Sequence, residues 1–276
     1  MIGSPIGHSL SPMIQNVALR AAGLDYVYVA LPASPYALDS VVYGLRDAGV
    51  VGFNVTIPFK TEMIHLMNDL SDNARHVQAV NTVVIQRDSR LVGHNTDVMG
   101  FLAGFAERDV VLAGKSAVMI GAGGAARAAL WGLLQSHVSS VVIGVRNPAK
   151  GAALCKDFAA NGDVRALSFD DPTFISAMGA ADIVVQTTPL GMMPHVEEMP
   201  PVDITALKPS AVVYDLIYTP AETRFLREAA ARGHVTINGE TMLVAQGAEA
   251  FFLWTGVRPD TELMKRVLRE ELARRT

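Results

Sequence analysis

The sequence predicts an α/β protein built on parallel sheets and divided into two lobes. Three observations carry this. Strand-like and helix-like segments alternate over nearly the whole chain, the pattern of parallel-sheet folds. The 276 residues, 50% hydrophobic and 18% charged, suffice for one large or two modest domains with real cores. A glycine-rich turn then opens a fresh strand–turn–helix block after Lys115, behind a helix suited to linking two lobes.

Taken in order, "SPMIQNVALRAAG" reads as a helix capped by Ser11, with Pro12 in its first turn and Gly23 as its stop. Met13, Ile14, Val17 and Ala21 form its expected apolar face. "YVYVALP" reads as a strand, and "YALDSVVYGLRDAG" as a helix with Leu38, Val41, Val42 and Leu45 on one stripe. "VVGFNVTIP" is a strand, "TEMIHLMNDL" a helix, and "AVNTVVIQRDSRLVGHN" a hairpin turning at "RDSR". "VMGFLAGFAER" is the linking helix. Beyond it, "SAVMIGAGGAARAALWGLLQS" and "SVVIGVRNPAKGAALCKDFAA" are each strand then helix. "ADIVVQTTPLG" and "AVVYDLIY" are strands, "PAETRFLREAAARG" a helix begun by proline, and "VTINGETMLVAQGAEAFFLWTG" a short strand leading into a long apolar helix.

The totals exclude several classes. The net charge of −4 and the absence of a basic run argue against a nucleic-acid face; "MKRVLREELARRT" mixes both signs and reads as a solvated helix. Cys155 stands alone, so neither a disulfide framework nor a cysteine zinc site is expected. The seven histidines form no HxH or HxxxH pair, and no metal is expected. No apolar run reaches membrane length, and "MIGSPIGHS" lacks a signal region. A cytoplasmic protein acting on a small molecule is the expectation.

The strongest motif is "VMIGAGGAARAAL". Gly121, Gly123 and Ala126 fit GxGxxA between a strand and a helix, the context dinucleotide binding needs. The next strand ends in "GVRNPAK". It lacks the acid that would take ribose hydroxyls and offers Arg146, Asn147 and Lys150, a cationic set suited to a 2′-phosphate. "NVTIPFK" brings Asn54, Thr56 and Lys60 to a strand end, where α/β folds bind ligands; spacing alone reads Lys60 as a surface lysine. Asn81, Asn95, Thr96 and Asp97 read singly as turn or cap residues, with Asp97 otherwise a partner for Lys60. Gln246 is a polar residue in an apolar helix and needs a partner. Ser9 and Ser11, two apart beside His8, either shape a turn or hold a ligand.

Together these motifs resemble the shikimate dehydrogenase family over nearly the whole chain. "GHSLSPMIQN", "GFNVTIPFK", "AVNT", "GHNTD", "IGAGGAARA", "TTPLGM", "YDLIYTP" and "GETMLVAQGAEAFFLWTG" occur in the family's order and spacing. The resemblance implies an N-terminal α/β substrate-binding lobe with a parallel-rich sheet, from residues 1–101 and 238–276, and a Rossmann NADP-binding domain over 102–237. It implies reversible reduction of 3-dehydroshikimate to shikimate by NADPH, toward chorismate and the aromatic amino acids, in a monomer or homodimer. Ser9 and Ser11 would bind the substrate carboxylate. Thr56, Asn81, Asp97, Tyr218 and Gln246 would surround the ring, with Lys60 and Asp97 as the catalytic pair. Gly121, Ala122, Gly123, Gly124, Ala125, Arg146, Asn147, Lys150, Leu216 and Gly239 would line the cofactor site. The family's usual "NRT" is "VRN" here and its usual Asn before "TTPLGM" is Gln186, so NAD stays open as cofactor. The alternatives are an NAD-using quinate/shikimate dehydrogenase and a catalytically silent nucleotide-binding sensor.

Overall fold

A computed structural model describes residues 1–7 and 9–275; His8 lies outside the described residues. The chain divides into two compact units, Met1–Gly100 with Val244–Arg275, and Phe101–Leu243.

The first unit holds β1 (Ile2–Gly3), α1 (Ser11–Ala21), β2 (Leu31–Pro32), α2 (Leu38–Asp47), β3 (Gly52–Asn54), β4 (Asp69–Leu70), α3 (Asp72–Val77), β5 (Thr82–Ile85) and β6 (Leu91–His94). α4 (Asp97–Ala106) starts in it. β1 and β2 pair in parallel, and β1 bridges onward from Ile2 to Val55. The four-stranded sheet runs β3-β5-β6-β4, antiparallel within the β5/β6 hairpin and between β3 and β5, parallel between β4 and β6. Ile2, Val42, Phe53, Phe59, Met63, Val80 and Val83 form its core.

The second unit holds β7 (Ser116–Ile120), α5 (Gly124–Gln135), β8 (Ser140–Val145), α6 (Pro148–Phe158), β9 (Val164–Ser168), α7 (Pro172–Ala180), β10 (Ile183–Gln186), β11 (Val212–Asp215), α8 (Arg224–Ala230) and β12 (Val235–Ile237). α9 (Glu240–Thr255) begins here, and α10 (Thr261–Arg275) belongs to the first unit. The six strands are all parallel in the order β12-β11-β10-β7-β8-β9, so the order reverses between β7 and β10. Side chains alternate across this sheet. Ala117 and Met119 enter one apolar cluster, Val118 and Ile120 the other, and both faces are therefore buried. The register sets Ile120 beside Gln186 and Gln186 beside Asp215, so three strands end level.

Several local expectations are corrected. α1 starts at Ser11 itself; Leu10 is its cap residue and makes no side-chain cap bond. Its buried face is Ser11, Ile14, Gln15, Ala18 and Leu19, with Met13 and Val17 only half-buried and Ala21 exposed. Within "YVYVALP" only Leu31 and Pro32 are strand. The Tyr28 backbone instead bonds a helix side chain: its N–H donates to Asn16 Oδ1 at 2.8 Å, and its carbonyl accepts from Asn16 Nδ2 at 2.8 Å. "TEMIHLMNDL" is a 3-10 turn over Glu62–Leu66 followed by β4. The edge of β6 recruits this segment, with the Asn68 N–H donating to the Leu91 carbonyl and the Leu91 N–H to Asn68 Oδ1. α8 begins not at Pro220 but at Arg224, capped by the Thr223 hydroxyl. α10 is not solvated all round, since Met264, Leu268 and Leu272 are buried. Gln246 is half-buried rather than enclosed. Among the described residues no helix is long and apolar enough to cross a membrane.

Candidate active site

In the first unit, three segments bring Lys60, Asn81 and Asp97 together. Phe59, fully buried in the core, anchors the turn after β3, and the Val80 N–H donates to the Lys60 carbonyl at 2.8 Å. This fixes the Lys60 backbone and leaves its ammonium to reach Asp97 Oδ2 at 2.7 Å. The side chains of Lys60 and Asp97 are 20% and 10% exposed, so the pair is shielded from water yet open to a small ligand. Asp97 opens α4. Just before it, Asn95 Nδ2 donates to the Ala79 carbonyl and the Thr96 N–H to Asn81 Oδ1 at 2.8 Å.

That last bond fixes the Asn81 amide, because a backbone N–H can only donate. Asn81 Nδ2 therefore points at Asp97 Oδ1, 2.9 Å away, and at Thr96 Oγ1. Each carboxylate oxygen of Asp97 then has a donor, one amide and one ammonium. The Thr82 hydroxyl donates to Asn81 Oδ1 and accepts from Asn54 Nδ2 at 2.9 Å. Asn54 Oδ1 accepts from the Tyr28 hydroxyl at 2.5 Å, a phenol whose burial holds its pKa above the ordinary range. Sequence reasoning weighed Asn54 and Thr96 only as candidates and missed Tyr28 and Thr82. "AVNT" could have pointed to Thr82; Tyr28 gave no signal.

Ser9 Oγ accepts from the Ser11 N–H at 3.3 Å and lies 3.3 Å from Met1 Sδ, so this serine shapes the turn. Ser11 is buried at the start of α1. Thr56 closes onto β1, its N–H donating to the Ile2 carbonyl. Gly3 permits that approach: a Cβ there would stand 2.3 Å from Thr56 Cγ2.

In the second unit, a cavity of about 590 Å³ opens at the C-terminal ends of β7, β8 and β10, where the strand order reverses. Such switch points are where open α/β sheets bind ligands. Of the expected cofactor residues, Gly121, Ala122, Gly123, Arg146, Asn147 and Lys150 line it. Gly124 and Ala125 form the first turn of α5 just behind, and Leu216 and Gly239 lie outside the cavity wall. A Cβ on Gly239 would stand 2.0 Å from the Leu216 carbonyl oxygen, so that glycine lets two backbones touch. Gly121 has φ +105°, a backbone other residues rarely adopt, while a Cβ at Gly123 or Gly124 would meet nothing within 4 Å. The turn thus leaves open space over the α5 N-terminus, where an anion is favoured. Asn147 Oδ1 accepts from the N–H groups of Ala149 and Lys150 and caps α6, which leaves Arg146 and Lys150 as the cationic groups on this wall. Thr187, Thr188, Pro189, Leu190 and Phe169 also line the cavity, with Gly144, Val145 and Pro201. "TTPLG" was legible as a loop at a strand end; Phe169 carried no motif. Beyond β11, Asp215 is fully buried and burial pushes its carboxyl up to about 7. It accepts from the Ile217 N–H and the Thr223 hydroxyl, bracketing the segment that carries Leu216 and Tyr218.

Residues 1–83 match the family model described as shikimate dehydrogenase substrate binding domain, and residues 239–269 match that of the shikimate 5'-dehydrogenase C-terminal domain. A shikimate dehydrogenase (NADP(+)) of Carboxydothermus hydrogenoformans is 40% identical over 269 residues, 97% of this chain and 95% of its own. The crystal structure of shikimate 5-dehydrogenase from Listeria monocytogenes, in complex with shikimate and NAD, aligns with a TM-score of 0.91 at 33% identity, over 97% of this chain and 94% of that one. That of the Thermus thermophilus enzyme, in complex with NADP(H) and shikimate, aligns with a TM-score of 0.87 at 34% identity, over 98% and 97%.

Proposed function

This chain belongs to the shikimate dehydrogenase family, and on that footing we propose that it reduces 3-dehydroshikimate reversibly to shikimate with NADPH, a step toward chorismate and the aromatic amino acids. The observation that carries the chemistry is the shielded contact of Lys60 with Asp97, 2.7 Å apart, with Asp97 held from its other oxygen by Asn81.

The nicotinamide, when bound, supplies or accepts the hydride. The protein has to manage the substrate oxygen. Lys60 donates the proton that the carbonyl oxygen needs on reduction and takes it back on oxidation. Asp97 orients the ammonium and accepts a hydrogen bond from a substrate hydroxyl. Its two fixed donors aim it without consuming all its lone pairs. Ser9 and Ser11 donate to the substrate carboxylate, and Thr56, Asn81, Tyr218 and Gln246 select the ring hydroxyls. Gly121, Ala122, Gly123, Gly124 and Ala125 would hold the pyrophosphate at the α5 N-terminus, and Leu216 and Gly239 would line the rest of the cofactor site. Arg146 and Lys150, both on the cavity wall, would hold the 2′-phosphate. Asn147 lines the same wall as the cap of α6 and holds backbone there.

The test is absorbance at the nicotinamide band with shikimate and with quinate, each against NADP and NAD. Shikimate with NADP is expected to give the highest kcat/KM. A higher value for quinate with NAD would overturn the assignment, and no turnover in any pairing would leave a nucleotide-binding protein without this activity.

A further inference from the structure

Residues 187–190 form the wall of the second unit's cavity that faces the glycine turn, yet they belong to no helix or strand. Two things shape them. On one side Thr187 is tied to the end of β7: its N–H and its hydroxyl both donate to the Ile120 carbonyl, at 3.0 and 2.8 Å. On the other side stands Gln186, the last residue of β10 and fully buried. Its Nε2 donates to the Thr188 carbonyl at 2.9 Å and to the Leu190 carbonyl at 3.1 Å, and its Oε1 accepts from the Thr188 N–H. Both amide protons and the amide oxygen are thus spent on the backbone of one loop. A buried primary amide otherwise needs such partners scattered among its neighbours.

The loop has no slack toward the turn. A Cβ on Gly121 would lie 2.7 Å from Thr188 Cγ2 and 2.8 Å from Thr187 Oγ1, so the two threonines already sit against the first glycine of the motif. A small displacement of Thr188 changes the width of the cleft directly. A loop held in its binding shape before the ligand arrives also spares the ordering cost on association.

We propose that Gln186 is a positioning residue for the dinucleotide: its side-chain amide holds residues 187–190 in the shape that accepts the cofactor. The inference rests on the cavity being the NADP site. It follows that cofactor affinity depends on Gln186 while substrate affinity does not.

The test uses the full chain with Gln186→Met, which keeps the length and loses the amide, and Gln186→Glu, which keeps the length and the accepting oxygen and loses the amide's paired donors. NADP and shikimate are titrated separately by calorimetry, alongside the thermal midpoint and the exchange rate of the Thr188 amide hydrogen in the unliganded protein. In both variants the Kd for NADP is expected to rise about tenfold or more, the scale of lost hydrogen bonds and lost preorganisation. Shikimate affinity stays within about twofold, and the Thr188 amide exchanges faster. If Gln186→Met does not fold, Gln186→Glu decides. Unchanged NADP affinity, or equal losses for both ligands, would overturn the proposal. Wild-type protein that binds shikimate but neither dinucleotide would instead strike the cofactor reading beneath it.

Discussion

Lys60 and Asp97 lie 37 positions apart in sequence and 2.7 Å apart in space. Their roles separate in kinetics. Removing a proton-transfer group lowers kcat by about 10²–10⁴-fold, whereas removing a group that only binds raises KM. Lys60→Ala should therefore keep its fold and its NADP affinity and lose most of kcat. Lys60→Arg should not rescue it, since a guanidinium does not give up its proton. Steady-state rates at several pH values decide the matter; near-normal kcat with the wild-type pH profile would remove Lys60 from the mechanism. Arg146 is tested by cofactor choice. Arg146→Ala should weaken NADP far more than NAD, and equal losses would place it away from the 2′-phosphate. Ser9 has two jobs to tell apart, because its hydroxyl already accepts the Ser11 N–H. Loss of a hydrogen bond to a charged group costs about 1.5–3 kcal/mol and would appear in the KM for shikimate. A lower thermal midpoint with KM intact would mark a turn residue.

At the scale of elements, strand ends and helix starts do the positioning. Asn147 caps α6 while standing on the cavity wall, so its replacement should affect stability before chemistry. Asn147→Ala should cost about 1 kcal/mol in unfolding free energy with the NADP/NAD ratio unchanged. Asp215 closes β11 and holds the following segment through Ile217 and Thr223. Its carboxyl titrates near 7 in the fold against 3.8 unfolded. Between those values the folded chain keeps a proton that the unfolded chain releases. The contribution of Asp215 to stability therefore falls as pH rises from about 4 to about 7 and is level above that. Asp215→Asn removes this slope. Denaturant unfolding across pH should show the variant gaining on wild type through that window, by up to a few kcal/mol. A difference independent of pH would mean the Asp215 carboxyl titrates alike folded and unfolded.

At the scale of the whole molecule, the chain divides into two units with separate cores, and each proposed ligand can be read by the unit it stabilises. A ligand that binds only the folded state stabilises it by about 2.7 kcal/mol at a hundred times its Kd. NADP at fixed concentration should raise the calorimetric unfolding temperature more than NAD does. Equal shifts would argue against 2′-phosphate recognition.

Periodicity and turn chemistry made much of the fold legible: the strand and helix around "GAGGAARA", the β5/β6 hairpin and the stripe of α2 all follow from local pattern. So did the identity of the chemical groups, because "NVTIPFK", "NTD" and "RNPAK" put a lysine, an aspartate and cations at strand ends. Tertiary structure alone decided the rest. "YVYVALP" has strand composition, but Asn16 takes the Tyr28 backbone and most of the segment pairs with no strand. "TEMIHLMNDL" has a helical pattern, but the edge of β6 draws its second half into a sheet. Asn81 looked like a turn residue, and only its place between Thr96 and Asp97 makes it the group that aims the carboxylate. Gln186 looked like a substitution in a motif, and only the loop folded over it gives its amide a task. Local sequence sets backbone preferences worth a fraction of a kcal/mol per residue. A buried polar group left without its partner costs more than that, so contacts distant in sequence overrule local pattern where buried amides and carbonyls must be satisfied.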